Sequence, residues 1–510
     1  MKLLLIKSGN LNTNATGITP PLGLMYVAAY VRKTRGDEMR IIDIRLYRDP
    51  LKVIQSSLND FRPDMVGISA LTLEAPAMYQ IAHFIKTVAN VPVVVGGPHA
   101  TSAPEEVLKN KDVDIVVIGE GEITFKELLD SLDQGQGMEQ VYGIGFRKGD
   151  TIQVNRQRDY IDNLDHLPFP AWDLIHIQGY AHTKSMSTPI FRSSFQPYMV
   201  MLTSRGCPFR CTYCHNIFGK SFRARSVENV LQEMAVLIEE YHINDFEIID
   251  DISNFDRERI KSICSGIIEK GWKIRFSFPN GVRTDMLDEE IVRLMKKAGA
   301  GEMSIAVETA SPRLQKMVKK NLNLEKVKHM INFAAEQGIF LRGFFMMGFP
   351  TETEEEIRAT IDFACTSKLH TALFFMVNMF KGTEIFKQAE KAGIQIPELN
   401  LEDFDYHAMP FNVSAVPDRR LHRLYSYAYI RFYFNPVRVF RILKTQAVLH
   451  NLFYNLTHFL PTISSTILTI LFPLKGNKHT KLGTGDDSDT SKTTQYLPFK
   501  SSKNKPVGLR

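Results

Sequence analysis

Three cysteines that stand close together in the sequence are the residues whose type and spacing most clearly suggest chemistry. Cys207, Cys211 and Cys214 follow a C-x3-C-x2-C pattern and are three of the five cysteines in this chain of 510 residues. A loop this short can turn three thiolates toward one metal centre, whereas a structural zinc site or a closed iron-sulfur cluster uses four protein ligands. The pattern therefore predicts a metal site with one position open to a small molecule. The alternatives are unconnected cysteines in a surface loop or a chance zinc site.

The other two cysteines and the composition indicate a protein of a reducing compartment. Cys264 and Cys365 stand alone in helix-like stretches, so neither is expected to supply a fourth ligand. An oxidising compartment would pair cysteines or attack an iron-sulfur cluster. The apolar run over residues 1–7 is too short for a signal peptide and is typical of a first strand. We therefore expect a cytoplasmic protein, and the net charge of +6 does not by itself imply nucleic acid.

With Tyr213 as the aromatic residue before the last cysteine, the motif resembles the C-x3-C-x-aromatic-C signature of the radical S-adenosylmethionine (SAM) superfamily. In that family the three cysteines hold a [4Fe-4S] cluster, and the amino and carboxylate groups of SAM chelate the fourth iron. The resemblance implies that Cys207, Cys211 and Cys214 are both metal ligands and catalytic residues. It also implies that the reduced cluster cleaves SAM to methionine and a 5′-deoxyadenosyl radical, which abstracts hydrogen from an unactivated C–H bond.

The elements that must position these cysteines form a repeating strand-helix pattern from Tyr198 to about residue 400. Six such units predict a partial (β/α)6 barrel, an open relative of the TIM barrel, in which active sites lie at the carboxyl ends of the strands. The first predicted strand leads directly into the cysteine loop. The predicted strands are Val200–Thr203, Phe246–Ile249, Ile274–Phe278, Met303–Val307, Leu341–Met347 and Ala372–Val377.

Polar residues and a glycine turn follow these strands at their carboxyl ends. Singly, each has an ordinary explanation, since acidic residues after strands are often helix N-caps and a Gly-Phe-Pro sequence is often a plain turn. Together they match the order and spacing of the radical SAM family. That resemblance implies SAM contacts for six residues: the ammonium for Asp250 or Asp251, the carboxylate for Arg283, the ribose for Glu308, and the adenine for Gly348 and Tyr213.

Residues 1 to about 150 alternate β-branched runs with helical stretches, which predicts a doubly wound, Rossmann-like parallel sheet. Small residues follow the later strands, where they permit close approach of a ligand to the backbone at the carboxyl edge. The predicted strands are Leu3–Ile6, Arg40–Ile44, Met65–Ile68, Val91–Val95 and Ile115–Ile118.

Three stretches of this first region resemble the cobalamin (B12)-binding domain that precedes the radical SAM domain in one large subgroup. They are the Pro-Pro-Leu-Gly-Leu run at 20–24, the Gly-Gly-Pro-His-Ala-Thr loop at 96–101 and the Gly-Glu-Gly-Glu turn at 119–122. The subgroup includes class B radical SAM methyltransferases and the anaerobic porphyrin ring cyclase. The resemblance implies cobalamin contacts by Ser69, Thr72, Gly96, Gly97, His99, Gly119, Gly121 and Glu122.

One departure from the cobalamin pattern concerns the cobalt ligand. Many such domains carry an Asp-x-His-x-x-Gly loop after the first strand, but residues 8–17 contain no histidine, and the first histidine of the chain is His83. We therefore expect cobalt to have no histidine from that loop as its lower ligand. His99 is the nearest alternative by position, against a loop histidine that hydrogen-bonds backbone or a corrin side chain.

The remaining segments complete the predicted domain order. We expect a cobalamin-binding domain at 1–150, a proline-stiffened linker at 151–195, the barrel at 196–400, a helical region at 401–474 and a disordered tail at 475–510. The stretch 419–444 carries seven basic residues, no acidic residue and many aromatics. It is typical either of a helix packed on the barrel or of a helix at an anionic membrane surface. The apolar stretch 448–474 contains Pro461 and makes a poor spanning helix. It could instead lie on a bilayer or cover a hydrophobic substrate channel.

These features predict a radical SAM enzyme that uses cobalamin to methylate an unactivated carbon. A cyclase or oxidative enzyme of the same architecture is the alternative, and a non-catalytic cobalamin sensor or carrier is the rival from another class. A methylthiotransferase would need a second cysteine triad in its first domain, but no cysteine precedes Cys207. The expected partners are a small-molecule or lipid-like substrate and an external electron donor such as ferredoxin or flavodoxin, without nucleic acid. Peripheral contact with the inner face of the membrane is a further expectation.

Overall fold

The computed structural model describes residues 1–9, 18–181, 198–214, 217–380, 382–391, 393–396 and 411–444. All of them belong to one compact unit, Met1–Leu460. The histidine-free loop at 10–17, part of the predicted linker, the apolar stretch 448–474 and the predicted tail lie outside the described residues, so the expectations for them stay predictions.

A seven-stranded sheet forms the first half of the chain, in the order β2-β1-β3-β4-β5-β6-β7. Its first five strands are parallel, as predicted. The strands are β1 (Lys2–Lys7), β2 (Glu38–Asp43), β3 (Met65–Ser69), β4 (Val93–Gly96), β5 (Ile115–Val117), β6 (Ile144–Lys148) and β7 (Thr151–Val154). The helices are α1 (Leu22–Arg35), α2 (Pro50–Phe61), α3 (Ala75–Val88), α4 (Pro98–Ser102), α5 (Pro104–Lys109) and α6 (Gly121–Asp133).

Helices cover both faces of this sheet, which is the doubly wound arrangement. Alternate residues of β1 point to opposite faces, so Leu4 and Ile6 pack in the core under α2 and α3, whereas Leu3 and Leu5 pack in the core under α1 and α6. Two further strands, β6 and β7, were not predicted and add an antiparallel edge to the sheet. β7 is half exposed and partly polar. It ends at Val154, beyond the predicted domain boundary at residue 150, and that boundary stays a proposal.

Six parallel strands form the second sheet in the order β15-β14-β13-β12-β11-β8. Neighbours in the sheet are successive βα units and the two end strands do not pair, as expected of an open (β/α)6 barrel. The strands are β8 (Met199–Met201), β11 (Asp245–Ile248), β12 (Arg275–Phe278), β13 (Ala300–Glu308), β14 (Phe340–Met347) and β15 (Thr371–Met376). The helices are α8 (Val227–Glu239), α9 (Arg257–Glu269), α10 (Glu289–Ala298), α11 (Pro312–Met317), α12 (Leu324–Glu336), α13 (Glu354–Thr366) and α14 (Glu384–Lys391).

A short antiparallel ribbon of β9 (Ser204–Arg205) and β10 (Arg223–Ala224) brackets the cysteine loop and was not predicted. The described part of the linker contains α7 (Ile177–Ala181) and two 3-10 turns, and it contacts both halves of the chain. Asp173 pairs with Arg32 of α1, whereas the indole of Trp172 donates to Glu233 of α8 at 3.2 Å.

Two final helices, α15 (Asp418–Tyr433) and α16 (Pro436–Lys444), follow the barrel. The Tyr429 hydroxyl bonds the backbone of Phe374 and the Tyr433 hydroxyl bonds that of Ala372, at 2.9 to 3.2 Å. An edge strand otherwise exposes unpaired backbone N–H and C=O groups. The two tyrosine hydroxyls provide hydrogen-bond partners for these groups on the open edge of β15. Among the residues that the structure describes, no helix has the length and apolar character needed to cross a bilayer.

Candidate active site

The strand that leads into the cysteine loop is held by Asp250. This carboxylate is fully buried and accepts three hydrogen bonds of 2.6 Å, from the backbone and hydroxyl of Thr203 and from the hydroxyl of Ser204. A carboxylate with both oxygens engaged this way anchors the backbone. Asp250 is therefore occupied by the protein itself.

Asp251, the other candidate for the SAM ammonium, faces the cysteine loop. One oxygen accepts from the backbone N–H of Gly206 at 3.2 Å, and among the described residues the other oxygen accepts no hydrogen bond. Desolvation and the charge of Asp250 raise the pKa of Asp251. Of the two aspartates that sequence reasoning left open, Asp251 is the one with an oxygen beside the loop that accepts no hydrogen bond from the described residues.

The cysteine loop itself is fixed at both ends and in its middle. Gly206 has φ +83°, and a Cβ there would collide with the carbonyl oxygen of Ser221. Thr212 donates from its backbone to Val318 at 3.0 Å and accepts from Ile385 at 2.9 Å. These bonds tie the loop to the barrel segments that follow β13 and β15.

The three cysteines lie close enough to influence one another. Burial raises the pKa of the Cys214 thiol to about 11, and the neighbouring Cys211 and Cys207 add to the shift. No group of three such side chains among the described residues converges on a single ion. Three thiols this close together in one short loop suit the thiolate ligation of an iron-sulfur cluster. Cys264 is buried in α9 and Cys365 lies in α13, apart from the triad.

Tyr213 and Glu308 are brought together at the end of β13. The Tyr213 hydroxyl donates to a Glu308 oxygen at 3.3 Å, and Lys320 donates to both groups at 3.2 Å. Glu308 has φ +65°, a left-handed conformation that costs a non-glycine residue energy and is found most often at functional sites. Lys320 was missed by sequence reasoning because it lies in a connection between helices, away from any strand end.

Arg283 supports the cysteine loop from the side. Its guanidinium lies 3.7 Å from the ring centroid of Phe209, which stands between the first two cysteines. It also donates to Asp285 at 3.0 Å and to the carbonyl of Lys320 at 2.8 Å. The predicted contact with the SAM carboxylate stays a prediction, since these bonds already occupy much of the guanidinium.

The turn after β14 is built around a buried glutamate. The backbone N–H groups of Gly348 and Phe349 donate to one oxygen of Glu352 at 2.6 and 3.1 Å. Burial raises the pKa of Glu352 to about 8. The Phe349 ring lies 6.2 Å from that of Tyr213, so the turn and the cysteine loop share one side of the barrel mouth. Sequence reasoning named this turn but did not single out Glu352. An acidic residue next to the N-cap Thr353 is common at the start of a helix and gave no sign of a buried carboxyl group.

At the carboxyl edge of the first sheet, glycines leave the strand ends open. Gly97 has φ +87°, and a Cβ there would lie 2.7 Å from the Ser69 hydroxyl. At Gly96 and Gly119 a Cβ would meet nothing closer than 3.8 Å. Thr72 begins a 3-10 turn directly after β3. These predicted residues therefore form one open edge.

His99 lies in α4, just after β4 of the first sheet. Its ring is buried, packs edge-on against Tyr79 at 6.3 Å, and makes no hydrogen bond among the described residues. Burial lowers the pKa of this histidine. Its cobalamin contact and its alternative role as a cobalt ligand stay predictions.

Glu120 and Glu122 join the first sheet to the cysteine loop. Arg205, two residues before Cys207, donates to Glu120 at 2.8 Å and to Glu122 at 2.6 Å. Arg223 donates to Glu120 at 3.0 Å. All four side chains are buried. Glu122 thus takes part in an ion pair between the two halves, with Gly121 between the two glutamates, and its cobalamin contact stays a prediction.

Comparison with known proteins identifies the family. A family model described as a B12 binding domain matches residues 10–129, and one described as the radical SAM superfamily matches residues 201–364. An uncharacterized methyltransferase of Pyrococcus horikoshii is 32% identical over 82% of this chain and 88% of its own length. The chain belongs to the B12-binding radical SAM family. This confirms the family, the enzyme class and the cofactors predicted from the sequence.

Other members of the B12-binding radical SAM family show similar coverage. Cytidylyl-2-hydroxyethylphosphonate methyltransferase of Streptomyces wedmorensis is 30% identical over 78% of this chain and 83% of its own length. The anaerobic magnesium-protoporphyrin IX monomethyl ester cyclase of Rubrivivax gelatinosus is 24% identical over 82% of this chain and 74% of its own length.

A solved structure confirms the fold of this B12-binding radical SAM protein. The cobalamin-dependent SAM radical enzyme OxsB, with aqua-cobalamin and SAM bound, superposes with a TM-score of 0.69 at 18% identity, over 92% of this chain and 75% of its own. The observed residues fit the family's cofactors: a glycine-lined sheet edge suits a large flat ligand, and three thiols in an anchored loop suit a [4Fe-4S] cluster.

Proposed function

We propose that this enzyme transfers a methyl group to an unactivated carbon of a small-molecule substrate. The observation that carries the proposal is the direct contact between the two cofactor loops. Arg205 and Arg223, at the two ends of the cysteine loop, both bind the glutamates that follow β5 of the first sheet. A reaction that uses a carbon radical and a methyl donor in sequence needs both sites beside one substrate position.

The chain's own residues divide the work of this reaction. When bound, the cluster and SAM supply the radical chemistry and cobalamin supplies the methyl group. Cys207, Cys211 and Cys214 would hold the cluster, and the second oxygen of Asp251, which accepts no hydrogen bond from the described residues, would accept from the SAM ammonium. Lys320 fixes Tyr213 and Glu308 on the opposite side of the loop.

An external one-electron donor, such as ferredoxin or flavodoxin, belongs to this proposal because reductive cleavage of SAM consumes an electron. The second candidate function is ring closure without methyl transfer, which the 24% identity to a porphyrin ring cyclase favours. The rival of a non-catalytic carrier predicts no cleavage of SAM at all.

Labelled SAM separates the three functions. The host that produces the enzyme is fed methyl-deuterated methionine under anaerobic conditions, and its metabolites are compared with those of a host producing the Cys211→Ala variant. Methyl transfer predicts a deuterated product that depends on the intact cysteine loop, together with S-adenosylhomocysteine and 5′-deoxyadenosine from the reduced enzyme. 5′-Deoxyadenosine without S-adenosylhomocysteine would support ring closure instead, and the absence of both would support the carrier.

We also propose peripheral contact of α15 and α16 with an anionic membrane surface. These helices expose several apolar side chains, with Phe434 74% and Phe440 67% exposed. This apolar stripe consists of Tyr427, Ile430, Phe434, Val437, Val439, Phe440 and Leu443. Aromatic and aliphatic side chains at this spacing suit the interfacial layer of a bilayer.

The electrostatic part of this attraction is smaller than the sequence count of seven basic residues implies. Arg420 pairs with Glu354, Arg431 pairs with Asp362, and Arg438 is buried and donates to carbonyl groups at the end of α13. Four basic residues make no ion pair within the described part of the chain: Arg419, Arg423, Arg441 and Lys444. At about 1 kcal/mol each near an anionic surface, they complement the lipid charge but leave much of the binding to the apolar stripe.

Substitution of the stripe tests membrane contact more cleanly than truncation after Val416, because that truncation removes the tyrosines that bond β15. Phe434→Ser combined with Phe440→Ser is expected to abolish co-sedimentation with phosphatidylserine vesicles at low salt. Tyr47→Ser, which changes an exposed aromatic residue of the first half, is the matched control. A chain ending at Lys444 tests whether the following segment covers the stripe. In that case the shortened chain would bind vesicles and the full chain would not. If neither chain binds, the proposal falls.

A further inference from the structure

We propose that Arg205 is a positioning residue that couples the two cofactor sites, so that loading of the cluster changes the affinity of the protein for cobalamin. The proposal rests on the two cofactor sites and does not depend on methyl transfer. Arg205 lies in β9, within the strand that enters the cysteine loop, and is 4% exposed. Its two partners flank Gly121 at the first-sheet edge.

The guanidinium of Arg205 is held in one orientation. Its terminal nitrogens reach separate carboxylates, Glu120 and Glu122. The aromatic rings of Tyr26 and Phe218 lie 5.1 and 5.3 Å from the guanidinium carbon. Two charge-assisted hydrogen bonds and the ring contacts restrict the motion of this planar group. A displacement of the cysteine loop therefore also displaces the turn that carries the two glutamates, and the reverse holds as well.

Glu120 extends the connection to both ends of the cysteine loop. It binds Arg205 in β9 and Arg223 in β10, the two strands that bracket the loop. The same carboxylate accepts from the backbone N–H of Ile161 at 2.7 Å. Because the ribbon is packed too closely for a Cβ at Gly206, a shift of the turn after β5 is passed to the whole loop.

The turn that carries these glutamates is also the predicted cobalamin contact. Gly119, directly before Glu120, has φ +78° and an open side where a Cβ would meet nothing closer than 3.8 Å. Two residues later, a Cβ at Gly121 would lie 3.1 Å from the Val27 side chain, so this part of the turn packs closely on α1. A ligand seated on the open side therefore presses on a turn that can move only together with Arg205.

The test compares cobalamin affinity with and without the cluster in the full chain. Hydroxocobalamin is titrated into anaerobically reconstituted protein and into the Cys207→Ala, Cys211→Ala, Cys214→Ala triple variant, and binding is followed by intrinsic fluorescence. We expect the two dissociation constants to differ by about fivefold or more, the range of ordinary allosteric coupling. Equal constants would overturn the proposal before any change to Arg205 is made.

Changes to Arg205 assign the coupling to this residue. Arg205→Gln combined with Glu120→Gln removes one charge of each sign and leaves the predicted cobalamin-contact residues unchanged, so this variant is expected to bind both cofactors while losing the difference in affinity. Arg205→Lys should keep only part of it, because one ammonium cannot bridge both carboxylates in the same geometry. Arg35→Gln, which breaks ion pairs within the first half alone, is the control and should retain the full difference. If the double variant also retained the difference in cobalamin affinity, Arg205 would have only a structural role.

Reciprocity supplies an independent readout. A coupling free energy acts in both directions, so hydroxocobalamin should alter the electron paramagnetic resonance spectrum of the reduced cluster in the natural protein. The spectrum of the Arg205→Gln, Glu120→Gln protein should stay unchanged on the same addition. A spectrum that responds equally in both proteins would overturn the assignment to Arg205.

Discussion

At the scale of single residues, the cysteines differ in their surroundings in a way that assigns their roles. Cys207, Cys211 and Cys214 share one anchored loop, whereas Cys264 is buried in α9 and Cys365 lies in α13. Replacement of any loop cysteine by Ala should remove most of the iron and the brown absorbance of anaerobically reconstituted protein. The same change at either helix cysteine should leave both unchanged. Loss of the cluster from a helix variant would contradict the three-ligand assignment.

The two adjacent aspartates are expected to fail in different ways. Asp250→Asn replaces an oxygen acceptor by a donor against Thr203 and Ser204, so the melting temperature and the cluster content should both fall. Asp251→Asn should keep the melting temperature and the cluster but weaken SAM binding, measured by isothermal titration of the reconstituted protein. If the first variant alone lost SAM affinity while remaining fully stable, the two roles would have to be exchanged.

Glu352 makes stability depend on pH. Its folded-state pKa is raised from 4.5 to about 8 by burial. Between these values the folded protein binds a proton that the unfolded chain releases, so stability falls as pH rises, by up to about 1.4 kcal/mol per pH unit, and levels off above about pH 8. Glu352→Gln keeps the shape without the titration. Urea unfolding of the cluster-free protein between about pH 5 and pH 8 should be flatter for the variant, and equal slopes would contradict this assignment.

At the scale of elements, strand-end glycines form the open edge of the first sheet. Gly97→Ala places a Cβ 2.7 Å from the Ser69 hydroxyl and should weaken hydroxocobalamin binding about tenfold or more through the shifted loop, a cost of about 1.4 kcal/mol. Gly135→Ala is the matched control, because its φ of +62° carries the same backbone cost but a Cβ there meets nothing within 4 Å. A similar loss of affinity in both variants would point to general destabilisation.

The strands that sequence reasoning found and those that it missed differ in how they are stabilised. The buried parallel strands are recognisable in the sequence as β-branched runs such as Val93–Gly96, because helices cover both faces of the sheet. β9 and β10 have two residues each, and their pairing is fixed by distant side chains such as Glu120. No local pattern carries that information. The turn residues around Gly348 were predictable in position, but the buried carboxyl of Glu352 beneath them was not.

At the scale of the whole molecule, the sequence predicts two cofactor sites but not how they meet. Arg205 and Glu122 are 83 positions apart in the chain. The local sequence explains each residue separately. Arg205 is a basic residue before a cysteine motif, and Glu122 is an acidic residue at the start of a helix. Their pairing emerges only when the two sheets are placed side by side. The predicted site residue Glu122 therefore has a structural explanation that composition and spacing cannot supply.

The tyrosine hydroxyls on the edge of β15 bear on how this chain could diverge. Tyr429 and Tyr433 take the place of a neighbouring strand, and Arg438 donates to carbonyl groups at the end of α13, so within the described residues these side chains brace the last strand of the barrel. Selection for a folded barrel then acts on those few positions. We expect related sequences to keep a tyrosine pair at this spacing.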